Sequence, residues 1–309
     1  VPIENGAGHS EYTVTKQRDF EHVLDTILGV ARSPRCMGQA WAHKEFVYID
    51  LNAGPGVVGG IEGSPLIFTR RALDLGIPFR AFFFESKSEN VHRLSDALAD
   101  LCESRGVSTD RLQIVPGDHN STVPWFVETH LASLPRDWVY GLAYGDGNGR
   151  DDSPFGPLAT IAQRFPRIDH LVNVNTAIYK RVRGAHPDAR FLLDDLAGID
   201  KKHRLIRKPI GEWQWSMVLM SNWGRVPEFR ELGFRRLDSE EGRDIFERVN
   251  YSKRERDDIA RPFVQSPPIA VTPSTSGIPA SSPFGPSSSS VAAASASAAT
   301  PPAQPSPIT

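Results

Sequence analysis

The sequence predicts a doubly wound α/β fold: a mostly parallel sheet with helices on both faces. Three observations carry that expectation. Short apolar runs alternate with amphipathic stretches from Phe46 to about Leu237. Runs such as Phe79-Arg-Ala-Phe-Phe-Phe84 are nearly continuous in apolar residues, as strands covered on both faces are. Several runs end in glycine and an acid, at the carboxyl ends where such sheets bind ligands.

The elements follow in order. Residues 1–14 are polar and read as a flexible N-terminus. A helical pattern runs from Lys16 to about Val30, with Phe20, Val23, Leu24, Ile27 and Leu28 on one face. The first strong strand is Phe46–Asp50, ending in the turn Leu51-Asn-Ala-Gly-Pro-Gly56, which Val57–Gly63 extends. Ser64 as N-cap and Pro65 at the first position open a helix that Gly76 stops. Phe79–Phe84 is a strand ending at Glu85, followed by the amphipathic helix Ser88–Ser104. The strand Leu112–Val115 leads to Gly117-Asp118 and a helix over Val123–Leu134. Trp138–Tyr144 runs into Gly145-Asp-Gly-Asn-Gly149, and Pro157–Phe165 is helical. Ile168–Asn175 is a strand, with helical material at Thr176–Val182 and Ala189–Ala197. Trp213–Leu219 and Phe234–Leu237 add two strands, antiparallel in direction.

Charge divides the chain. All 35 Lys and Arg and all 37 Asp and Glu lie at or before Arg261, so one α/β domain is expected over 15–261. Residues 262–309 are a Ser/Ala/Pro-rich tail with too few apolar groups to offset ordering, and they read as disordered.

Several classes fall away. No apolar run is long enough to cross a bilayer, so no membrane role is expected. The N-terminus lacks the basic-then-apolar pattern of a signal peptide. The two cysteines, Cys36 and Cys102, offer no disulfide framework and no CxxC site, which fits a reducing cytoplasm. The nine histidines show no HxH or HExxH spacing, so no metal is expected, and Asp151-Asp152 reads as a solvated loop.

The strand ends hold the candidate site. Asp50, Asn52, Gly54 and Gly56 form an acid-then-glycine turn where backbone can approach a ligand closely. No Gly-Lys-Ser/Thr follows, which excludes a P-loop, and the third glycine of a dinucleotide fingerprint is missing. Glu85 stands where a carboxylate accepts hydrogen bonds from two ribose hydroxyls. Asp118, with His119 beside it, is placed to receive an adenine amino group. Three successive strands ending in Asp, Glu and Asp are the pattern expected for S-adenosyl-L-methionine.

The segments Phe46-Val-Tyr-Ile-Asp50-Leu-Asn-Ala-Gly54-Pro-Gly56, Gly63-Ser-Pro-Leu-Ile67 and Phe83-Phe-Glu85 resemble the three-Cys-motif partner proteins. The resemblance covers about residues 40–100 and thins toward 250. More broadly the chain is similar to class I S-adenosylmethionine-dependent methyltransferases. That similarity implies a Rossmann-like, seven-stranded sheet ending in an antiparallel hairpin. It also implies chemistry at the fourth strand end, where amino-methylating enzymes carry Asp or Asn, Pro-Pro and an aromatic. Here Tyr144-Gly-Asp146-Gly-Asn148-Gly149 keeps the acid but lacks the prolines and the aromatic. Asp146 and Asn148 are the candidate catalytic residues, set to accept hydrogen bonds from a target amine. The alternative is an ordinary glycine-rich turn. A cytosine-5 nucleophile is absent.

Residues 180–208 hold nine Lys or Arg against four Asp, just before Trp213 and Trp215. Such a segment can grip phosphates while aromatic rings stack on bases. The expected function is therefore methyl transfer to a nucleic acid. The alternative is a non-catalytic methyltransferase-like protein that binds a protein partner in a bacterial or phage system.

Overall fold

The computed structural model describes residues 13–33, 45–137, 139–147, 154–185, 192–209, 215–224 and 226–260. Asn148, Asp151, Asp152, Trp213 and the tail 262–309, all named above, lie outside the described residues. The chain divides into two units, Val1–Pro262 and Phe263–Thr309, and everything described belongs to the first.

Sidedness of the apolar residues decides the layers. Helix α1 (Thr13–Arg32) buries Phe20, Val23, Leu24 and Leu28, the face read from their spacing. Strand β1 (Phe46–Asp50) is buried at all five positions, and the small hairpin β2 (Val57–Val58) and β3 (Ile61–Glu62) follows. Next come α2 (Ser64–Asp74), β4 (Phe79–Glu85), α3 (Ser88–Ser104), β5 (Leu112–Pro116) and α4 (His119–Thr129). Then β6 (Gly141–Gly145), α5 (Phe155–Arg164), β7 (Ile168–Asn175), α6 (Thr176–Ala185) and α7 (Leu192–Ala197) continue the alternation. The chain closes with β8 (His203–Arg207), β9 (Trp215–Ser221), β10 (Phe234–Arg236), α8 (Glu240–Asn250) and α9 (Lys253–Ala260).

The main sheet has the order β10-β8-β9-β7-β6-β1-β4-β5. The strands β5, β4, β1, β6 and β7 are parallel, and β9 runs antiparallel between β7 and β8. From β1 the chain steps outward through β4 to β5, then returns to β6 on the other side of β1. Strand order therefore reverses between β1 and β6, which makes the crevice beyond their carboxyl ends the default ligand position. One face carries α1, α2 and α3 against Phe46, Tyr48, Phe83 and Leu142. The other carries α4, α5, α7 and α8 against Ile49, Phe84, Ala143 and Val172.

The mostly parallel, doubly wound sheet is as expected, with four differences. Among the described residues the sheet has eight strands, not seven, because β8 lies inside the stretch read as basic; its Leu205 and Ile206 are buried. β10 pairs with β8 rather than with β9, so the last two expected strands are not a hairpin. Helix α4 starts at His119, earlier than its apolar spacing suggests, because the Asp118 carboxylate caps it at Asn120 N (3.2 Å). Ser64 opens α2 but does not cap it, since its hydroxyl bonds Asp50 instead. No helix among the described residues is long and apolar enough to cross a membrane.

Candidate active site at the strand carboxyl ends

Asp50 ends β1 fully buried, and the turn is built around it. Tyr48 Oη donates to Oδ2 (3.0 Å) and Asn52 N to Oδ1 (3.2 Å). Burial pushes this carboxyl up to about 7; bonds from Ser64, Asn52 and Tyr48 pull it down, and the Asp146 charge adds a little to the rise. In this position Asp50 organises the turn from inside and exposes no surface.

The sign of the resulting pH dependence is fixed. The folded state holds the Asp50 proton up to about pH 7, whereas the unfolded chain releases it near pH 4. The folded state binds more protons in that window, so this group's contribution to stability falls as pH rises from about 4 to 7. Asp50→Asn removes that loss. Its stability relative to wild type should improve by roughly 1 kcal/mol or more between pH 5 and pH 8 in urea melts. A pH-independent difference would mean that Asp50 is ionised throughout. Comparing two pH values cancels the constant cost of the amide.

Gly54 and Gly56 take φ of +69° and +83°, conformations that side-chain-bearing residues resist. A Cβ on Gly56 would also press Leu94 Cδ1 at 3.2 Å, because the turn packs directly on α3. Gly54 N donates to Glu85 Oε2 (2.8 Å) and Lys87 N to Glu85 Oε1 (2.8 Å), lacing the turn to the end of β4. Each carboxylate oxygen keeps a second lone pair for a ligand hydroxyl. Asp118 and His119 stand farther out, at the end of the edge strand β5. The Asp118 side chain is more than half exposed while His119 is buried, with Nδ1 3.9 Å from the Asp118 carboxylate. Gly117 N donates to Glu85 O (2.9 Å), so the two strand ends are tied.

Asp146 lies across the reversal point, just past β6. Its backbone N donates to Asn52 Oδ1 (3.1 Å), and Leu51 N donates to Tyr144 O (2.9 Å), joining the ends of β1 and β6. Its carboxylate is held from two sides: Asn173 Nδ2 reaches Oδ1 and Lys16 Nζ reaches Oδ2, both at 2.6 Å. The same ammonium sits 5.2 Å over the Trp215 ring. Asn173 is 4% exposed, and its Oδ1 has no hydrogen-bond partner among the described residues. An orphaned buried acceptor costs about 1–3 kcal/mol, which a ligand donor would recover.

The structure thus gathers Asn52, Gly54, Glu85 and Asp146 around buried Asp50, with Asp118 and His119 at the rim. Sequence reading missed Lys16 and Asn173. Asn173 had a signal, being a polar residue inside a strand buried at its first seven positions. Lys16 had none, because 130 positions separate it from Asp146.

The basic segment is smaller than it reads. Lys201 is 3% exposed and donates to Pro166 O (2.9 Å) and Ile168 O (2.6 Å). Arg204 holds Ile199 O (2.9 Å), and Arg207 pairs with buried Asp19 at 2.6 Å. These three cations serve the fold; Arg181, Lys202 and Lys208 are exposed. Among the described residues no cluster of three or more His, Cys, Asp or Glu is placed to hold a metal.

No family model matches the chain, and no curated protein matches it. Solved structures do resemble it at low identity. An rRNA methylase from Streptococcus thermophilus is 12% identical over 66% of this chain and 93% of that one, with a TM-score of 0.39. A precorrin-6y C5,15-methyltransferase from Geobacter metallireducens is 12% identical over 72% and 96%, with a TM-score of 0.39. A TehB-like SAM-dependent methyltransferase from Corynebacterium glutamicum is 9% identical over 68% and 99%, with a TM-score of 0.33. None of the three is a three-Cys-motif partner protein.

Proposed function

We propose that the chain is an S-adenosylmethionine-dependent methyltransferase of the class I type, with its site in residues 15–261 and residues 262–309 an appendage to it. The observation that carries this reading is the joined pair of strand ends, Asn52 bonded to Asp146 beside the Gly54–Glu85 link. The residues there suit the cofactor: Glu85 has lone pairs for ribose hydroxyls, the Gly54–Gly56 turn admits the methionine portion, and Asp118 with His119 edges the adenine. The bound cofactor supplies an electrophilic methyl. Asp146 and Asn173 Oδ1 accept hydrogen bonds from the acceptor and aim its lone pair, so catalysis is mainly positioning. Asn148, two residues beyond Asp146, is proposed to share that task.

The preferred acceptor is a nucleic acid, bound through the exposed remainder of segment 180–208. One observation favours a second reading, a methyltransferase-like binding protein: Asp146 is already paired with Lys16. Calorimetry with S-adenosylmethionine tests cofactor binding, and labelled-methyl transfer to DNA, RNA and protein extract divides enzyme from binding protein. Glu85→Ala should weaken cofactor affinity about 10- to 100-fold, the worth of one or two hydrogen bonds to a charged group. Unchanged affinity removes the ribose assignment; no binding by the wild-type chain removes the whole reading.

A further inference from the structure

The opposite end of the sheet, where β1, β6 and β7 begin, holds a cavity of about 190 Å³. It lies between the second half of α1 and the segment after β9. Its described walls are mostly apolar, with Ile27, Val30, Phe46, Tyr140, Trp223 and Val226 among them. Asp169 and Ser221 supply the polar part of the wall. Asp169 is 7% exposed, and its Oδ1 has no hydrogen-bond partner among the described residues. Burial raises this carboxyl, while a bond from Ser221 and the Lys201 ammonium pull it down.

The wall is fixed rather than loose. Trp223 N donates to Ser221 Oγ (3.1 Å), and the Arg167 guanidinium lies 5.8 Å from the Trp223 ring centre. Lys201 is anchored on Pro166 O and Ile168 O, and Asn222 Nδ2 reaches the same Pro166 O (3.1 Å). An apolar cavity of about 150 Å³ admits a benzene-sized guest. A mostly apolar chamber of this size with the Asp169 carboxylate in its wall selects for a guest with a matching donor, because a guest without one leaves that polar group uncompensated.

We propose that this cavity is a second, separate binding site for a small ring-sized apolar molecule bearing one hydrogen-bond donor, with Asp169 as the group that recognises the donor. It shares none of its named residues with the strand-end site, so it stands or falls apart from the methyltransferase reading.

Titrating the full chain with benzyl alcohol and with toluene, followed by ligand-observed NMR, tests the proposal. Benzyl alcohol should bind at least tenfold more tightly than toluene. Asp169→Leu should reduce that ratio to about one. Ala31→Leu, which adds bulk to the α1 wall of the cavity, should abolish binding of both probes. If Asp169→Leu fails to fold beside buried Lys201, the wild-type ratio and Ala31→Leu still decide. No binding, equal affinities in the wild-type chain, or binding that survives Ala31→Leu overturns the proposal.

Discussion

Asp146→Ala is expected to lower methyl transfer by about 100-fold or more while leaving cofactor affinity nearly unchanged. The reason is the division of labour along the strand ends. Glu85 and the Gly54 turn lie on the β1–β4 side, where cofactor contacts are proposed. Asp146 lies past β6 on the other side of the reversal, held by Asn173 and Lys16 at 2.6 Å each. A carboxylate so fixed loses little freedom when it orients an acceptor, which is what positioning requires. Single-turnover transfer from labelled cofactor, set beside calorimetry, separates the two effects. Equal loss of both would place Asp146 in the cofactor site, and a wild-type rate would remove it from the chemistry. Lys16→Met is the companion variant. If Lys16 only holds the carboxylate, transfer falls less than in Asp146→Ala. If Lys16 competes with the acceptor for Asp146, transfer rises.

Gly141→Ala is expected to cost roughly 3 kcal/mol or more, or to prevent folding. Gly141 opens β6 and pairs with Val47 on one side and Ile168 on the other. A methyl there would overlap the Val47 carbonyl, with no flexible side chain to give way. Relief requires moving β6 off β1, which breaks the joint that carries the site. Gly156→Ala is the control, since that glycine lies in α5 with nothing within 4 Å of an added methyl. It should be neutral or stabilise by up to about 1 kcal/mol, through helix propensity. Urea midpoints compare the two; similar midpoints would mean that the strands separate more easily than the packing implies.

The parts legible in the sequence were those whose signal is local. Phe46–Asp50 with its glycine turn and Phe79–Glu85 announce themselves through nearly continuous apolar residues and a polar stop. β8 was hidden because His203-Arg-Leu-Ile-Arg207 is mostly charged or polar by composition, and only its pairing with β9 and β10 explains its burial. The internal bonds of three cations in the basic stretch were hidden for the same reason. Lysine and arginine look like surface groups until a carbonyl or a buried acid is brought beside them, as happens at Lys201 and Arg207.

By itself the sequence determined the α/β class, the strands that end in acid and glycine, and hence which end of the sheet carries the proposed chemistry. These follow from period and composition, which neighbours along the chain express without help. Only the tertiary structure decided what each polar group meets. It turned Asp50 inward as the pin of its turn, set Lys16 and Asn173 on Asp146, and withdrew three cations from the basic segment. Hydrogen bonds and ion pairs act over a few ångströms of space, whatever the separation in sequence. Partners 130 or 188 positions apart are therefore found only when the sheet brings them together.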